Sequence, residues 1–274
     1  MRIIALFFTL LFTSLYSFAQ NYEEFIEKSY DYLENDNLPA AEESLRAAMR
    51  LEPANPYNYA LLSNLGTIQR RQEKYEDAMI SYQSAFSRRP QDITLLGNIA
   101  SLYATIGEAD KAIDHYNILL SVDKNNQDAI YNRGLLFMQK KDFIGAEEDF
   151  DKLLEINEKT FLGRLGHAIL EKMRGNYNES ERIYNYLINE FPKSWPLYEG
   201  RAELYFMMNK NTRAMSDINK FFAEVENPPA SLYVLRGKIK IAQYEKPSAR
   251  LDFQRAKDMG YDPEIIKELM KMCM

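Results

Sequence analysis

Residues 127–160 read QDAIYNRGLLFMQKKDFIGAEEDFDKLLEINEKT. Each half places three small or apolar residues at positions i, i+4 and i+7: Ile130, Gly134 and Phe137 in the first half, and Ala146, Phe150 and Leu153 in the second. Residues at this spacing lie on one face of an α-helix. The stretch therefore predicts two amphipathic helices joined by a short turn.

The same pattern recurs along the chain with a period near 34 residues. Starts at residues 22, 59, 93, 127, 161, 195 and 230 bring seven segments into register. Counted from these starts, position 8 holds Ser29, Gly66, Ala100, Gly134, Ala168, Ala202 and Gly237. Position 20 holds Ala41, Ala78, Ala112, Ala146, Ser180, Ala214 and Ala249. A small residue on each helix lets two antiparallel backbones approach closely. This close packing can offset the cost of a glycine in the middle of a helix, which is about 1 kcal/mol relative to alanine.

The columns resemble the tetratricopeptide repeat, whose motif has small residues at positions 8 and 20, aromatic residues near positions 11 and 24, and proline at position 32. Pro53, Pro90 and Pro192 occupy that last position here. The resemblance implies an all-α solenoid of seven helix-turn-helix repeats with a C-terminal capping helix over residues 264–274. The expected repeats span residues 22–263, as 22–55, 59–92, 93–126, 127–160, 161–194, 195–228 and 230–263.

Composition restricts the function. The net charge is −6 and the isoelectric point is about 5.2, which argues against nucleic-acid binding, since that requires a dense Lys and Arg surface. A single cysteine excludes an internal disulfide framework and a zinc site built from cysteines.

Residues 1–19 are interpreted as a secretory signal peptide. Met1-Arg2 precedes a ten-residue apolar run from Ile3 to Phe12, and the small residues Ser17 and Ala19 predict cleavage after Ala19. The alternative is an uncleaved anchor extending through Phe18, although a membrane span needs about 20 apolar residues. We expect an extracytoplasmic protein, periplasmic or secreted, with no membrane span in the mature chain.

Residues for catalysis or metal binding are scarce. The two histidines, His115 and His167, fall in different repeats without metal-ligand spacing, and we interpret both as structural. Cys273 lies one residue from the end of the sequence and is interpreted as a free thiol. We therefore expect no enzymatic activity, no cofactor, no metal and no small-molecule substrate.

Three repeats carry Arg at position 7, where a core residue is expected, and the same three carry Asp at position 23. Because a half-buried charge needs a partner, we expect three ion pairs: Arg133 with Asp149, Arg201 with Asp217, and Arg236 with Asp252.

The resemblance also implies a concave groove lined by the first helix of each repeat, with positions 2, 5, 6, 9, 12 and 13 facing or bordering it. Position 6 is Asn64, Asn98 and Asn132 in three consecutive repeats, and Tyr131 stands at position 5. Asparagine carboxamides in a groove can bond the backbone of an extended peptide. The repeated asparagine can also bond locally or reflect duplication. The basic clamp that some relatives use for peptide carboxyl termini is missing, because its positions in the first three repeats hold uncharged residues: Ile26, Tyr30, Ser63, Thr67, Thr94 and Asn98.

The fifth repeat has an apolar stripe at groove positions: Leu162, Leu165, Ile169 and Met173. We include Leu165 and Ile169 among the candidate groove residues, as part of a patch that accepts varied side chains. The alternative is that the fifth repeat's first helix is rotated and the stripe belongs to the core.

The sequence thus favours an exported, non-enzymatic scaffold that binds a peptide segment or a partner protein in its groove. The alternative is a structural subunit of a cell-envelope assembly that uses its convex face or its ends.

Overall fold

The computed structural model describes residues 21–273, and within that range the chain forms fifteen helices and no strand. The predicted signal segment lies outside the described residues. Helix α1 covers 21–34. It is followed by α2 (Leu38–Leu51), α3 (Asn58–Arg71), α4 (Tyr75–Phe86), α5 (Ile93–Thr105), α6 (Ala109–Val122), α7 (Gln127–Gln139), α8 (Phe143–Ile156), α9 (Phe161–Arg174), α10 (Tyr177–Glu190), α11 (Trp195–Met207), α12 (Asn211–Glu224), α13 (Ala230–Ala242), α14 (Lys246–Asp258) and α15 (Pro263–Lys271).

The chain divides into two compact units, residues 1–136 and 137–274, with the boundary inside α7. In the first unit α3 packs against both α4 and α5, and α5 packs against α6. In the second unit α11 packs against both α12 and α13, and α13 packs against α14. Odd-numbered helices are therefore the first helices of the repeats, and even-numbered helices up to α14 are the second helices.

The turn inside every repeat has the same backbone geometry. Position 15 has a positive φ in all seven, at Asp36, Glu73, Gly107, Lys141, Gly175, Asn209 and Tyr244. Only two of these residues are glycine, although a left-handed conformation costs other residues roughly 1–2 kcal/mol. Packing of the two helices therefore imposes the turn even on Tyr244, whose side chain is 91% exposed.

The expected close approach between paired helices is confirmed. A Cβ atom built on Gly66 of α3 would lie 2.6 Å from the ring of Tyr82 on α4. A Cβ atom on Gly237 of α13 would lie 2.4 Å from the ring of Phe253 on α14. Both rings are fully buried, so each glycine makes room for an aromatic residue at position 24 of its own repeat.

The position-20 column forms the centre of each helix pair. All seven of its residues are completely buried: Ala41, Ala78, Ala112, Ala146, Ser180, Ala214 and Ala249. Ser180 satisfies its hydroxyl by donating to the Ala168 carbonyl at 2.6 Å. A buried polar group needs such a partner, which explains how one serine is accepted among alanines.

The last helix covers the end of the seventh repeat. Asp262 caps α15 by accepting hydrogen bonds from the backbone N–H groups of Glu264 and Ile265. Ile266 and Leu269 of α15 are buried in a cluster with Phe253. This helix begins at Pro263, one residue before the predicted segment 264–274.

Candidate functional site

A cavity of about 300 Å³ opens between α5 and α7, with side chains of α6 between them. Its lining is mainly polar and carries a single formal charge. The polar lining residues are Thr94, Asn98, Ser101, Tyr116, Asn126, Asp128 and Asn132. Amides and hydroxyls of this kind can both donate and accept hydrogen bonds, as a peptide backbone does.

Two of the predicted asparagines meet in this cavity. Asn98 Nδ2 lies 3.4 Å from Ser63 Oγ, at the outer limit of a hydrogen bond. Asn132 Nδ2 donates to the Asp128 carbonyl at 2.9 Å. Within residues 21–273 neither carboxamide oxygen accepts a hydrogen bond. Each therefore presents a free acceptor.

Asn64 and Tyr131 are placed differently. Both are half-buried, and neither lines the cavity. Asn64 makes no hydrogen bond in the part of the chain that the structure describes. Burial raises the pKa of Tyr131 above its usual value. The roles of these two residues in ligand binding stay predictions.

Sequence reasoning missed Tyr116 as a residue of the cavity. It is 4% exposed, and burial raises its pKa to about 12. Tyr116 lines the cavity because α6 packs between α5 and α7. The residue pattern within a single helix does not predict such packing between helices.

A second missed residue is Arg70, in the last turn of α3. Its Nη1 atom donates to Ser101 Oγ at 2.6 Å, and Ser101 lines the cavity. Arg70 occupies position 12 of its repeat, one of the groove positions implied by the resemblance. The basic residue at this groove position could have identified Arg70 as a candidate for ligand binding.

The apolar stripe of α9 belongs to the second unit. Leu165 is half-buried and packs against a core cluster that includes Tyr184 and Leu187, and Ile169 is also half-buried. Met173, at the end of the stripe, is 49% exposed. The stripe thus lies partly in the core and partly at the surface. Ligand binding by Leu165 and Ile169 stays a prediction.

Two of the expected ion pairs are confirmed. Arg201 donates to Asp217 through Nε at 2.8 Å and through Nη2 at 2.7 Å. Arg236 Nε lies 3.0 Å from Asp252 Oδ2, and Lys240 is bound to the same carboxylate at 2.8 Å. The carboxylates are buried, so these arginines stabilise the repeats. The pairing of Arg133 with Asp149 stays a prediction.

The two histidines make local contacts. His115 Nδ1 lies 2.8 Å from the Lys111 carbonyl, and His167 Nε2 lies 3.0 Å from Asp151 Oδ1. Over residues 21–273 no group of three or more His, Cys, Asp or Glu side chains is arranged to hold a metal ion. No helix in that range is long and apolar enough to cross a membrane.

Comparisons with known proteins agree with the repeat pattern. The tetratricopeptide repeat family matches residues 26–93 and 127–160. A crystal structure of a tetratricopeptide repeat protein from Parabacteroides merdae is 63% identical, covers 93% of this chain and 99% of that one, and superposes with a TM-score of 0.84.

More distant similarities show the fold alone. PilW, described as a widely conserved type IV pilus biogenesis factor, is 20% identical over 77% of this chain and 98% of its own, with a TM-score of 0.62. Human tetratricopeptide repeat protein 6 is 28% identical over 57% of this chain. The matched part spans 30% of the length of that protein.

The helix pairs, the buried small-residue columns and the extensive match to a solved relative agree on the fold class predicted from the sequence. That fold supports protein–protein interaction in general. The chain belongs to the tetratricopeptide repeat family.

Proposed function

We propose that this protein is an exported, non-enzymatic scaffold that binds an extended segment of a partner protein in the groove lined by its first helices. The observation that carries the proposal is the polar cavity between α5 and α7, in which Asn98 and Asn132 present free carboxamide oxygens.

An extended peptide offers one N–H donor and one carbonyl acceptor at each residue, except at proline. The carboxamide oxygens of Asn98 and Asn132 would accept from N–H groups of the bound segment. The Tyr116 hydroxyl, which makes no hydrogen bond in the described chain, would donate to a carbonyl. Contacts to the backbone hold a segment with little regard to its side chains.

Export is proposed from the N-terminal segment, whose charge, apolar run and small residues before Gln20 have the arrangement of a cleavable secretory signal. The proposed location is periplasmic or extracellular. A non-enzymatic role is proposed because tetratricopeptide repeats generally serve as scaffolds.

The alternative, a structural subunit of a cell-envelope assembly bound through its convex face or its ends, has weaker support. Several aliphatic side chains on these helices are well exposed, among them Ile80, Ile144 and Leu251. They lie on separate helices, and apolar side chains exposed singly are ordinary on protein surfaces. The polar cavity therefore favours the groove.

Replacing Asn98 and Asn132 together by alanine tests the proposal. The probe is a decapeptide selected by the wild-type protein from a random library with acetylated and amidated ends. Loss of two hydrogen bonds costs about 1–3 kcal/mol, so we expect its Kd, measured by fluorescence anisotropy, to rise about tenfold or more. The melting temperature should stay within about 2 °C of the wild-type value, because both side chains are half-buried and make weak or local bonds.

The matched control is the pair Asn189→Ala and Asn219→Ala, two exposed asparagines on second helices. This variant should bind the decapeptide as the wild type does. Equal affinity of the groove variant and the control would show that the asparagines do not hold the ligand.

A further inference from the structure

The guanidinium group of Arg70 lacks a carboxylate partner. Three other half-buried arginines are paired with an acid: Arg201 with Asp217, Arg236 with Asp252, and Arg174 with Glu147. Arg164 of the second unit differs from these three, because its side chain bonds the Glu158 carbonyl and its Nε atom is buried without a hydrogen-bond partner. Arg70 is also half-buried, yet across residues 21–273 no acidic side chain lies within ion-pair distance of it. Its one side-chain bond is to the neutral Ser101 hydroxyl. A partly desolvated charge with a neutral partner retains capacity to bind an anion.

A second, independent feature lies beside it. Tyr116 is 4% exposed and lines the cavity, and its hydroxyl makes no hydrogen bond within the described residues. The hydroxyl is therefore open to a ligand from the cavity, although the ring that carries it is buried. The positive charge of Arg70 acts on Tyr116 against the effect of burial on the Tyr116 pKa. Ser101, which accepts the hydrogen bond of Arg70, lines the same cavity as Tyr116. The Tyr116 hydroxyl and the Arg70 guanidinium are thus both placed near the part of the cavity that Ser101 lines.

The position of Arg70 has a simpler explanation, which accounts for only part of this arrangement. A cation in the last turn of a helix offsets the negative end of the helix dipole by about 0.3–1 kcal/mol. That effect requires neither burial of the side chain nor a bond to α5. It also gives no role to the Tyr116 hydroxyl in the lining of the cavity.

We infer that the bound segment carries an aspartate or glutamate side chain, whose carboxylate binds Arg70 and the Tyr116 hydroxyl while Asn98 and Asn132 hold the neighbouring backbone. The inference rests on the proposed groove function and adds the chemical class of the ligand. Arginine suits this role because its planar fork matches a carboxylate.

Asp128, the one acidic residue in the cavity lining, determines on which side the acidic side chain of the ligand binds. Asp128, in the first turn of α7, lines the opposite wall from α5. It repels a carboxylate, so the acidic side chain lies toward α3 and α5. Backbone N–H groups or a basic side chain of the segment lie toward Asp128.

The test uses three fluorescent decapeptide pools with acetylated and amidated ends, so that no terminal carboxylate contributes. The central residue is fixed as Glu, Gln or Lys, and the other positions are random. For the wild-type protein we expect the Glu pool to bind about tenfold more tightly than the Gln pool, with the Lys pool weakest. Arg70→Gln should abolish the difference between the Glu and Gln pools and leave the Gln pool bound as before.

Arg71→Gln is the matched control. Arg71 is the next residue of α3, but its guanidinium is 46% exposed and pairs with Asp36. This variant should keep the preference for Glu. Tyr116→Phe provides a second variant, because it removes only the hydroxyl of a buried ring, and it should reduce the preference by about threefold.

Each outcome decides between the two proposals. Equal binding of the Glu and Gln pools by the wild type overturns the acidic ligand and leaves the groove function standing. Preference for the Lys pool also overturns it and transfers recognition to Asp128. Absence of binding by every pool overturns both proposals. A preference for Glu that survives in Arg70→Gln contradicts the role of Arg70.

Discussion

Asp217→Ala is expected to lower the free energy of unfolding by about 3–5 kcal/mol. The Asp217 carboxylate is buried and receives two hydrogen bonds from Arg201, whose side chain is only 16% exposed. Removing the acid leaves a largely buried guanidinium without its counter-charge, which is among the most destabilising changes a core can undergo. Urea unfolding followed by circular dichroism measures the loss.

Two further variants separate this cause from general damage to the helix. Replacing both partners by apolar residues, Arg201→Met with Asp217→Leu, removes the unpaired charge and should recover most of the loss. Glu155→Ala breaks the exposed pair between Lys152 and Glu155 and should change stability by less than about 0.5 kcal/mol. A loss at Asp217 no larger than that at Glu155 would mean that the buried pair contributes little.

The second large effect concerns Glu42, where five hydrogen bonds from other side chains converge on one carboxylate. Burial raises its pKa, but bonds from Arg46, Lys74 and Gln72 outweigh burial and lower the pKa from 4.5 to about 2. A depressed pKa stabilises the folded state above the unfolded-state pKa, and that stabilisation is lost as the pH falls toward 2. We expect Glu42→Gln to cost about 3 kcal/mol at pH 7 and about 1 kcal/mol at pH 3.

Measuring the free energy of unfolding at both pH values for wild type and variant checks the sign as well as the size. Glu43→Gln is the neighbouring control, because the Glu43 side chain is 67% exposed and its ion pair with Arg50 lies at the surface. Its effect should be small at both pH values. A cost for Glu42→Gln that does not shrink on acidification would contradict the assigned pKa.

The fold could be predicted because its determinants are local and repeated. Small residues at positions 8 and 20 recur in all seven repeats, and the position-20 residues are completely buried. The pairing of Arg201 with Asp217 was visible because the two residue types occur together at fixed positions. The shared turn geometry was not visible, because the helices impose it on residues as different as Lys141, Gly175 and Tyr244.

The candidate site was predicted only in part. Asn98 and Asn132 share a repeat position, and the structure brings both into one cavity. Tyr116 and Arg70 were missed because their relation to that cavity depends on four helices, α3, α5, α6 and α7, which come from three repeats. The partners of Glu42 include Gln69 and Lys74, which lie about one repeat further along the chain and are brought near by packing of α2 against α3.

Photo-crosslinking can locate an extended segment bound on the face formed by α5 and the start of α7. The probe is the selected end-capped decapeptide with benzoylphenylalanine at one position at a time, crosslinked to the full chain and mapped by mass spectrometry. We predict crosslinks within Ile93–Thr105 and residues 127–132, and their loss when Asn98 and Asn132 are both replaced by alanine. Crosslinks confined to second helices outside the cavity, such as α2 and α4, would show that the segment binds elsewhere.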